Sequence, residues 1–303
     1  MKILGWLKKD TKGKLAELLD GFELPSFPEI TMEALSALRD NNASMRKVAG
    51  ILQRDPGIHV KILRIVNSAA YGLSTKVGNM QHAATLLGRS RLESILLSHA
   101  VKDSLPPVHI TNFDCKKFWL TASRRANLAY MLSDYLHPVF KEESFTVGLL
   151  QDMGIPAIAS IRQKEYNELL DKFFSSDVDN IAVLENDAFG FDHQKVGSLM
   201  AEEWNLPEYI GQSIRDHHSL SNGTRDLAAR LVSSINEKIE LGDVEKMIDD
   251  WSGVVNMEKE KLKSLVGEAF KSAESFFCLL YTSDADYIGV SVDLDGRRII
   301  KKK

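Results

Sequence analysis

The sequence predicts an all-α protein, in which an N-terminal bundle of short helices packs on a second, larger helical bundle. Apolar residues recur at helical spacing from about residue 29 onward, and alternating strand patterns are missing until the C-terminal tail. Capping signals divide this pattern into short segments. The Asp55-Pro56 pair is one such signal, because aspartate is a favoured N-cap and proline suits the first helical position. Short helices that follow one another closely indicate a compact bundle.

Four segments are expected along the chain, and the first three are helical or amphipathic. Residues 1–20 are predicted to form an amphipathic arm. The main domain is expected over residues 21–240, with the first bundle at 21–105 and the second at 106–240. Further helices are predicted over residues 241–277.

Individual helix boundaries follow from caps and breakers. A helix is expected from about Glu29 to Asp40, and Ser44 is predicted to cap the next one. Asn79 should open a short helix that Gly88 breaks before another begins. In the second bundle, a long helix is expected from about Asp114 to Tyr135, and later helices should start near residues 179, 192, 207, 224 and 258.

The last segment, residues 278–303, differs from the rest because it loses helical periodicity and ends in lysines. It resembles translated sequencing-adapter read-through, and we interpret it as non-native sequence. The alternative is a genuine terminal hairpin, since YIGVSVDL alternates and the following Asp-Gly pair is a turn signal.

Composition limits the class of protein. The two cysteines, Cys115 and Cys278, are far apart, which excludes a disulfide framework and a thiolate zinc site. A net charge of −4 argues against a dedicated nucleic-acid binder. The N-terminus has too short an apolar core for a signal peptide, and no run approaches the roughly 18 apolar residues of a spanning helix. A cytoplasmic protein that does not associate with membranes is therefore expected.

Several stretches resemble a known family. The segment from LPSFPEI to NSAAYG (residues 24–72) is similar to the first half of HDOD domains, which are HD-related output domains. FWLTASRRA (118–126), GLLQDMG (148–154) and GFDHQ…DHH (190–218) resemble the other half, which is related to HD and HD-GYP phosphohydrolases. The resemblance covers about residues 21–240. It implies an HD-like second bundle and a bacterial signal-output module without demonstrated catalysis.

The chain departs from the resembled phosphohydrolases at three ligand positions. Such an enzyme needs a pair of divalent metals held by histidines and carboxylates. The His-Asp pair of the family reads Gln151-Asp152 here, and a neutral amide is a poor substitute for an imidazole. Thr121 stands where the family has a histidine, and the carboxylate expected on a later helix falls at Asn236. These changes predict a degenerate metal site.

Four ligand-type residues of the resembled site remain: Asp152, His193, His217 and His218. Because the last two are adjacent, only one of them is expected to point inward. The preferred interpretation is that these side chains form hydrogen bonds inside the bundle and hold no metal. The alternative is one divalent transition metal bound by Asp152, His193 and His217 as a facial triad.

A second candidate site consists of four arginines. Arg89 and Arg91, together with Arg124 and Arg125, could form an anion-binding patch for a phosphorylated ligand. The alternative is that these arginines are solvated or paired at the surface.

Three functional hypotheses follow. The leading hypothesis is a non-catalytic module in bacterial signal transduction that binds a partner protein. No receiver, kinase, cyclase or DNA-binding segment is recognisable, so a signalling partner is expected to be supplied in trans. The second hypothesis is a metal-dependent phosphohydrolase acting on a nucleotide or cyclic dinucleotide. The third is a module that senses a phosphorylated small molecule, for example a nucleotide, through the arginines.

Overall fold

The computed structural model describes residues 13–68, 73–219, 227–239 and 244–285. All regular structure in these ranges is helical, which confirms the all-α prediction. Most of the predicted arm, the helix start near residue 224 and the alternating stretch of the tail lie outside the described residues.

The first bundle consists of five helices. They are α1 (13–18), α2 (Glu29–Arg39), α3 (Met45–Leu52), α4 (Pro56–Val66) and α5 (Met80–Ser104). The predicted caps are present: side-chain oxygens of Ser44, Asp55 and Asn79 accept the backbone N–H groups of the first turns of α3, α4 and α5. The predicted break at Gly88 is a kink within α5, where the glycine has φ 72° and so tolerates a geometry that other residues avoid.

The second bundle and the helices after it form the rest of the described chain. They are α6 (Cys115–Leu136), α7 (Lys141–Leu150), α8 (Gly154–Ile161), α9 (Gln163–Ser175), α10 (Ile181–Phe189), α11 (His193–Glu203), α12 (Glu208–Asp216), α13 (Leu227–Leu231), α14 (Val244–Val255) and α15 (Lys259–Ala285). Helix α15 continues past residue 278. The expected loss of helical structure at that boundary is therefore wrong for residues 278–285, because the helix begun at Lys259 continues through them.

Packing centres on α6, which contacts α7 along one side and α15 along another. The main hydrophobic core is continuous from α1 through both bundles to Phe276 on α15. A smaller core joins α13, α14 and α15 to the outer face of α6. The two bundles therefore share one core, and α7 and α8 pass through its middle.

The stretch Pro138–Ile161 has the length and mean hydropathy (1.2) of a membrane span. It is broken between α7 and α8, and 89% of its most apolar window is buried inside the protein. Burial within the core accounts for its apolar composition.

Two glycines allow close approach of helix backbones, one between α8 and α11 and the other between α7 and α6. A Cβ atom at Gly154, the first residue of α8, would overlap the carbonyl oxygen of His193, the first residue of α11. A Cβ atom at Gly148 on α7 would lie only 3.0 Å from the carbonyl oxygen of Arg125 on α6. Both glycines of the GLLQDMG segment are therefore required by packing, and they set the distance between the helices that carry the candidate site.

Candidate metal-binding site

The four remaining ligand-type residues meet at one point between three helices. Asp152 lies in the turn between α7 and α8, and His193 is the first residue of α11. His217 and His218 follow the last residue of α12. One ligand atom from each of the four lies within 4.8 Å of the others. We call these four residues the Asp152 cluster.

The distances within the Asp152 cluster suit a single ion. His193 Nε2 lies 3.3 Å from both His217 Nε2 and His218 Nε2. Asp152 Oδ1 lies 3.2 Å from His217 Nε2 and 3.6 Å from His193 Nε2. A tetrahedral ion with metal–nitrogen distances of about 2.0–2.1 Å holds its ligand atoms about 3.3–3.4 Å apart. The expectation that only one of the adjacent histidines points inward is wrong, because both lie in the turn after α12 and both reach His193.

Neighbouring groups orient two of the imidazoles. The carbonyl oxygen of Ile214 lies 2.6 Å from His217 Nδ1, and a carbonyl can only accept, so Nδ1 carries the hydrogen. Glu185 Oε2 lies 2.6 Å from His193 Nδ1 and also accepts the His193 backbone N–H at 2.8 Å. The other carboxylate oxygen of Glu185 accepts the Tyr166 hydroxyl. Such partners turn Nε2 of each ring toward a shared centre, as second-layer groups do around metals.

Burial and the neighbouring charges determine the pKa values of the three histidines in the cluster. Burial alone would lower the pKa of His193, but Glu185 and then Asp152 raise that pKa to about 9. Burial, together with the charge of His193, lowers the pKa of His217, although Asp152 opposes this. Burial and the charges of His217 and His193 lower the pKa of His218 to about 2. Without a metal, the cluster therefore holds a proton on His193 at neutral pH.

Arg125 is part of this site, although it was predicted as one of the four anion-binding arginines. Its guanidinium, only 1% exposed, forms an ion pair with Asp152 Oδ2. Burial by itself would raise the pKa of Asp152, but Arg125 and then His217 and His193 hold it well below the ordinary value. Asp152 is therefore a carboxylate at any pH near neutrality, with one oxygen on Arg125 and the other facing the histidines.

Two of the three departures from the family pattern also lie in the interior. Thr121 is buried on α6, one helical turn before Arg125, so both share a helical face. Gln151 is fully buried, and neither atom of its amide forms a hydrogen bond within the part of the chain that the structure describes.

The position assigned to Asn236 requires correction. The Asn236 side chain donates a hydrogen bond to the carbonyl oxygen of Asp179, which is not part of the cluster. The next residue, Glu237, is the carboxylate of this segment. Its charge interacts with Arg125 and Asp152, and its burial raises the pKa of its carboxyl group. The prediction placed this position on a helix, whereas the chain leaves helical geometry after the 3₁₀ turn Val232–Ser234.

The four arginines do not form one anion-binding patch, which corrects the second candidate site. Arg89 donates to backbone carbonyls at and just after the C-terminal end of α2. Arg124 donates to the carbonyl oxygen of Ile239 and lies over an aromatic ring of α15. Arg125 is buried beside Asp152, and Arg91 faces a separate cavity. The four arginines occupy positions on α5 and α6 that contact different parts of the fold.

The fold and the Asp152 cluster define an all-α protein of the HD type. The HDOD domain family matches residues 24–220, and the chain belongs to this family. Membership confirms the resemblance inferred from the sequence.

Similar solved structures include the following two. A solved HDOD domain protein of unknown function from Geobacter sulfurreducens superimposes with a TM-score of 0.69 at 19% identity, over 90% of this chain and 99% of that one. A protein from Shewanella amazonensis SB2B, provisionally named a phosphohydrolase, gives a TM-score of 0.70 at 20% identity, over 88% of this chain and 97% of that one. These likenesses show the fold.

An uncharacterized protein from Treponema pallidum (strain Nichols) is 24% identical over 216 residues. The match covers 70% of this chain and spans 40% of the length of that protein.

Proposed function

We propose that the protein is a non-catalytic regulatory module of bacterial signalling. It acts in the cytoplasm by binding a partner protein supplied in trans, and its Asp152 cluster holds one cation rather than a catalytic metal pair. The observation that carries the non-catalytic, single-cation part of this proposal is the ion pair between Arg125 and Asp152. Membership in the HDOD family is consistent with the signalling part. The guanidinium of Arg125 places a permanent positive charge beside Asp152, the carboxylate among the four residues of the cluster.

A catalytic metal pair is disfavoured by this arrangement. In a two-metal site a carboxylate bridges both ions, and its second oxygen must be available. Here that oxygen contacts Arg125. Thr121 and Gln151 supply no imidazole for a second ion. A second divalent ion would also be placed close to the guanidinium, which repels it.

One divalent transition metal fits the donor set, in contrast with the expectation of none. Asp152, His193, His217 and His218 would hold it, and Glu185 would orient His193. When bound, such an ion supplies Lewis acidity and connects the start of α8 to α11 and to the end of α12. Because His193 must lose its proton to act as a ligand, the affinity for metal rises with pH.

The second candidate function is a metal-dependent phosphohydrolase that acts on a nucleotide or cyclic dinucleotide. The convergence of three imidazoles and a carboxylate favours it, because this donor set is also found at hydrolytic ions. Burial argues against it: Asp152, His193 and His217 are at most 7% exposed, so a phosphoester has little access.

Metal stoichiometry tests the single-cation arrangement. Protein incubated at pH 9 with Mn²⁺, Fe²⁺ or Zn²⁺ and then desalted is expected to retain one equivalent by elemental mass spectrometry. The affinity should fall about tenfold for each pH unit below 9, as His193 regains its proton. His193→Ala should abolish retention, whereas the control His82→Ala, on the exposed side of α5, should not.

Either of two results would contradict this arrangement. Two equivalents, both lost in His193→Ala, would mean that a metal pair forms despite Arg125. No retention of any ion at pH 9 would mean that the converging donors do not bind metal.

A further inference from the structure

A cavity of about 340 Å³ lies between the first bundle and α6, α7 and α15, away from the Asp152 cluster. This volume is within the range of small-molecule sites. Its polar lining includes Ser68, Arg91, Asn127, Tyr130 and Glu142. The rest of its wall is mainly apolar and comes from four different helices. Such an interface between two helical layers is a usual place for a ligand site.

Three buried polar atoms beside this cavity form no hydrogen bond among the residues that the structure describes. Arg91 Nη1, Glu142 Oε2 and Ser68 Oγ are buried and form no hydrogen bond within the described residues. Arg91 Nη1 and Glu142 Oε2 are 3.6 Å apart, which is an ion pair but too long for a hydrogen bond. Ser68 Oγ has no such ion-pair partner, and the long ion pair leaves Arg91 and Glu142 without a mutual hydrogen bond, so this wall of the cavity has polar groups that a further polar partner would satisfy.

Aromatic rings hold the Arg91 guanidinium in place. Its Cζ atom lies 4.0 Å from the ring centre of Phe145 and 5.6 Å from that of Tyr130. These cation–π contacts hold the guanidinium of Arg91 at the wall of the cavity. Phe276 on α15 packs edge-on against Phe145 and closes the apolar wall. The donors are thus preorganised beside surfaces that suit a flat ring.

The charges of the cavity select the ligand. Arg91 and Glu142 lie side by side, so their charges cancel and an anion such as phosphate would meet the carboxylate. Both side chains are satisfied by a neutral ligand that carries two kinds of group on one edge. Its N–H groups would donate to Glu142, and its carbonyl oxygen would accept from Arg91. The guanine base carries adjacent ring and amino N–H donors and a carbonyl oxygen on a single flat edge.

We propose that this cavity binds the guanine base of a nucleoside or nucleotide, with Glu142 accepting from the base and Arg91 donating to its carbonyl oxygen. This site is separate from the Asp152 cluster and does not depend on what the cluster binds.

Isothermal titration of the full chain with three nucleosides tests the proposal. Guanosine is expected to bind. Inosine lacks the amino group and therefore loses one hydrogen bond to a charged acceptor. Its affinity should be at least about tenfold lower than that of guanosine. Adenosine, with no ring N–H or carbonyl on that edge, should show no binding at the same concentrations. Equal binding of all three, or no binding of guanosine at millimolar concentration, would overturn the proposal.

Variants locate the binding. Glu142→Gln and Arg91→Met should each weaken guanosine binding at least tenfold, whereas the neighbouring control Glu143→Gln should keep it. Leu86→Trp fills the cavity from its partly exposed wall and should block binding without altering the polar groups. Guanosine binding that survives Leu86→Trp in a normally folded protein would place the ligand elsewhere and contradict the assignment.

Discussion

Replacing Gly154 with alanine is expected to lower the free energy of unfolding by about 3 kcal/mol or more. The added Cβ atom would overlap the backbone carbonyl of His193, so neither side can yield by a rotamer change. Helix α8 must then move away from α11, which also separates Asp152 from the histidines. Urea denaturation measures the change in stability.

Gly50→Ala is the matched control for this prediction. Gly50 lies on the exposed side of α3, and a Cβ atom there meets nothing within 4 Å. The substitution should stabilise the protein by about 0.5–1 kcal/mol, because alanine is the better helix former. A Gly154→Ala protein as stable as the parent would contradict the close approach of α8 to α11.

Replacing Arg125 with methionine is expected to cost about 3–5 kcal/mol, because it leaves the Asp152 carboxylate buried without its guanidinium partner. Arg54→Met removes a guanidinium from an ion pair with Glu33 in which both side chains are about half exposed, and it should cost less than about 1 kcal/mol. The change in the free energy of unfolding of each variant is obtained from the midpoint of its urea denaturation.

A double substitution separates the ion pair from other effects of Arg125. Asp152→Asn removes the carboxylate charge, so Arg125→Met should cost much less in that background than alone. Equal costs in the two backgrounds would mean that the guanidinium stabilises the fold through contacts other than Asp152.

The helices could be predicted because their signals are local. The caps Ser44, Asp55 and Asn79 bond within their own first turns, and Gly88 determines the kink at its own position. The family could also be predicted from contiguous segments. The continuation of α15 past residue 278 was missed because the loss of helical periodicity and the resemblance to read-through sequence suggested a boundary there.

The site was predicted less completely because its contacts join distant parts of the chain. Arg125 and Asp152 are 27 positions apart, and nothing in the local sequence distinguishes Arg125 from Arg124. Glu237 was missed because the resembled family has this carboxylate on a helix, and here the helical geometry ends before it. Glu185, Tyr166 and the inward orientation of His218 likewise depend on tertiary packing, although an acidic residue eight positions before His193 was a usable signal.

Turnover of a phosphodiester tests the central claim, a single-cation site without catalysis, most directly. Hydrolysis of bis(p-nitrophenyl) phosphate and of a cyclic dinucleotide is measured with protein loaded with Mn²⁺, beside the nearly isosteric Asp152→Asn variant. We predict equal rates for both proteins, no higher than that of the buffer containing the metal. Turnover by the parent protein that is lost in a folded Asp152→Asn variant would contradict the proposal and establish the Asp152 cluster as an active site.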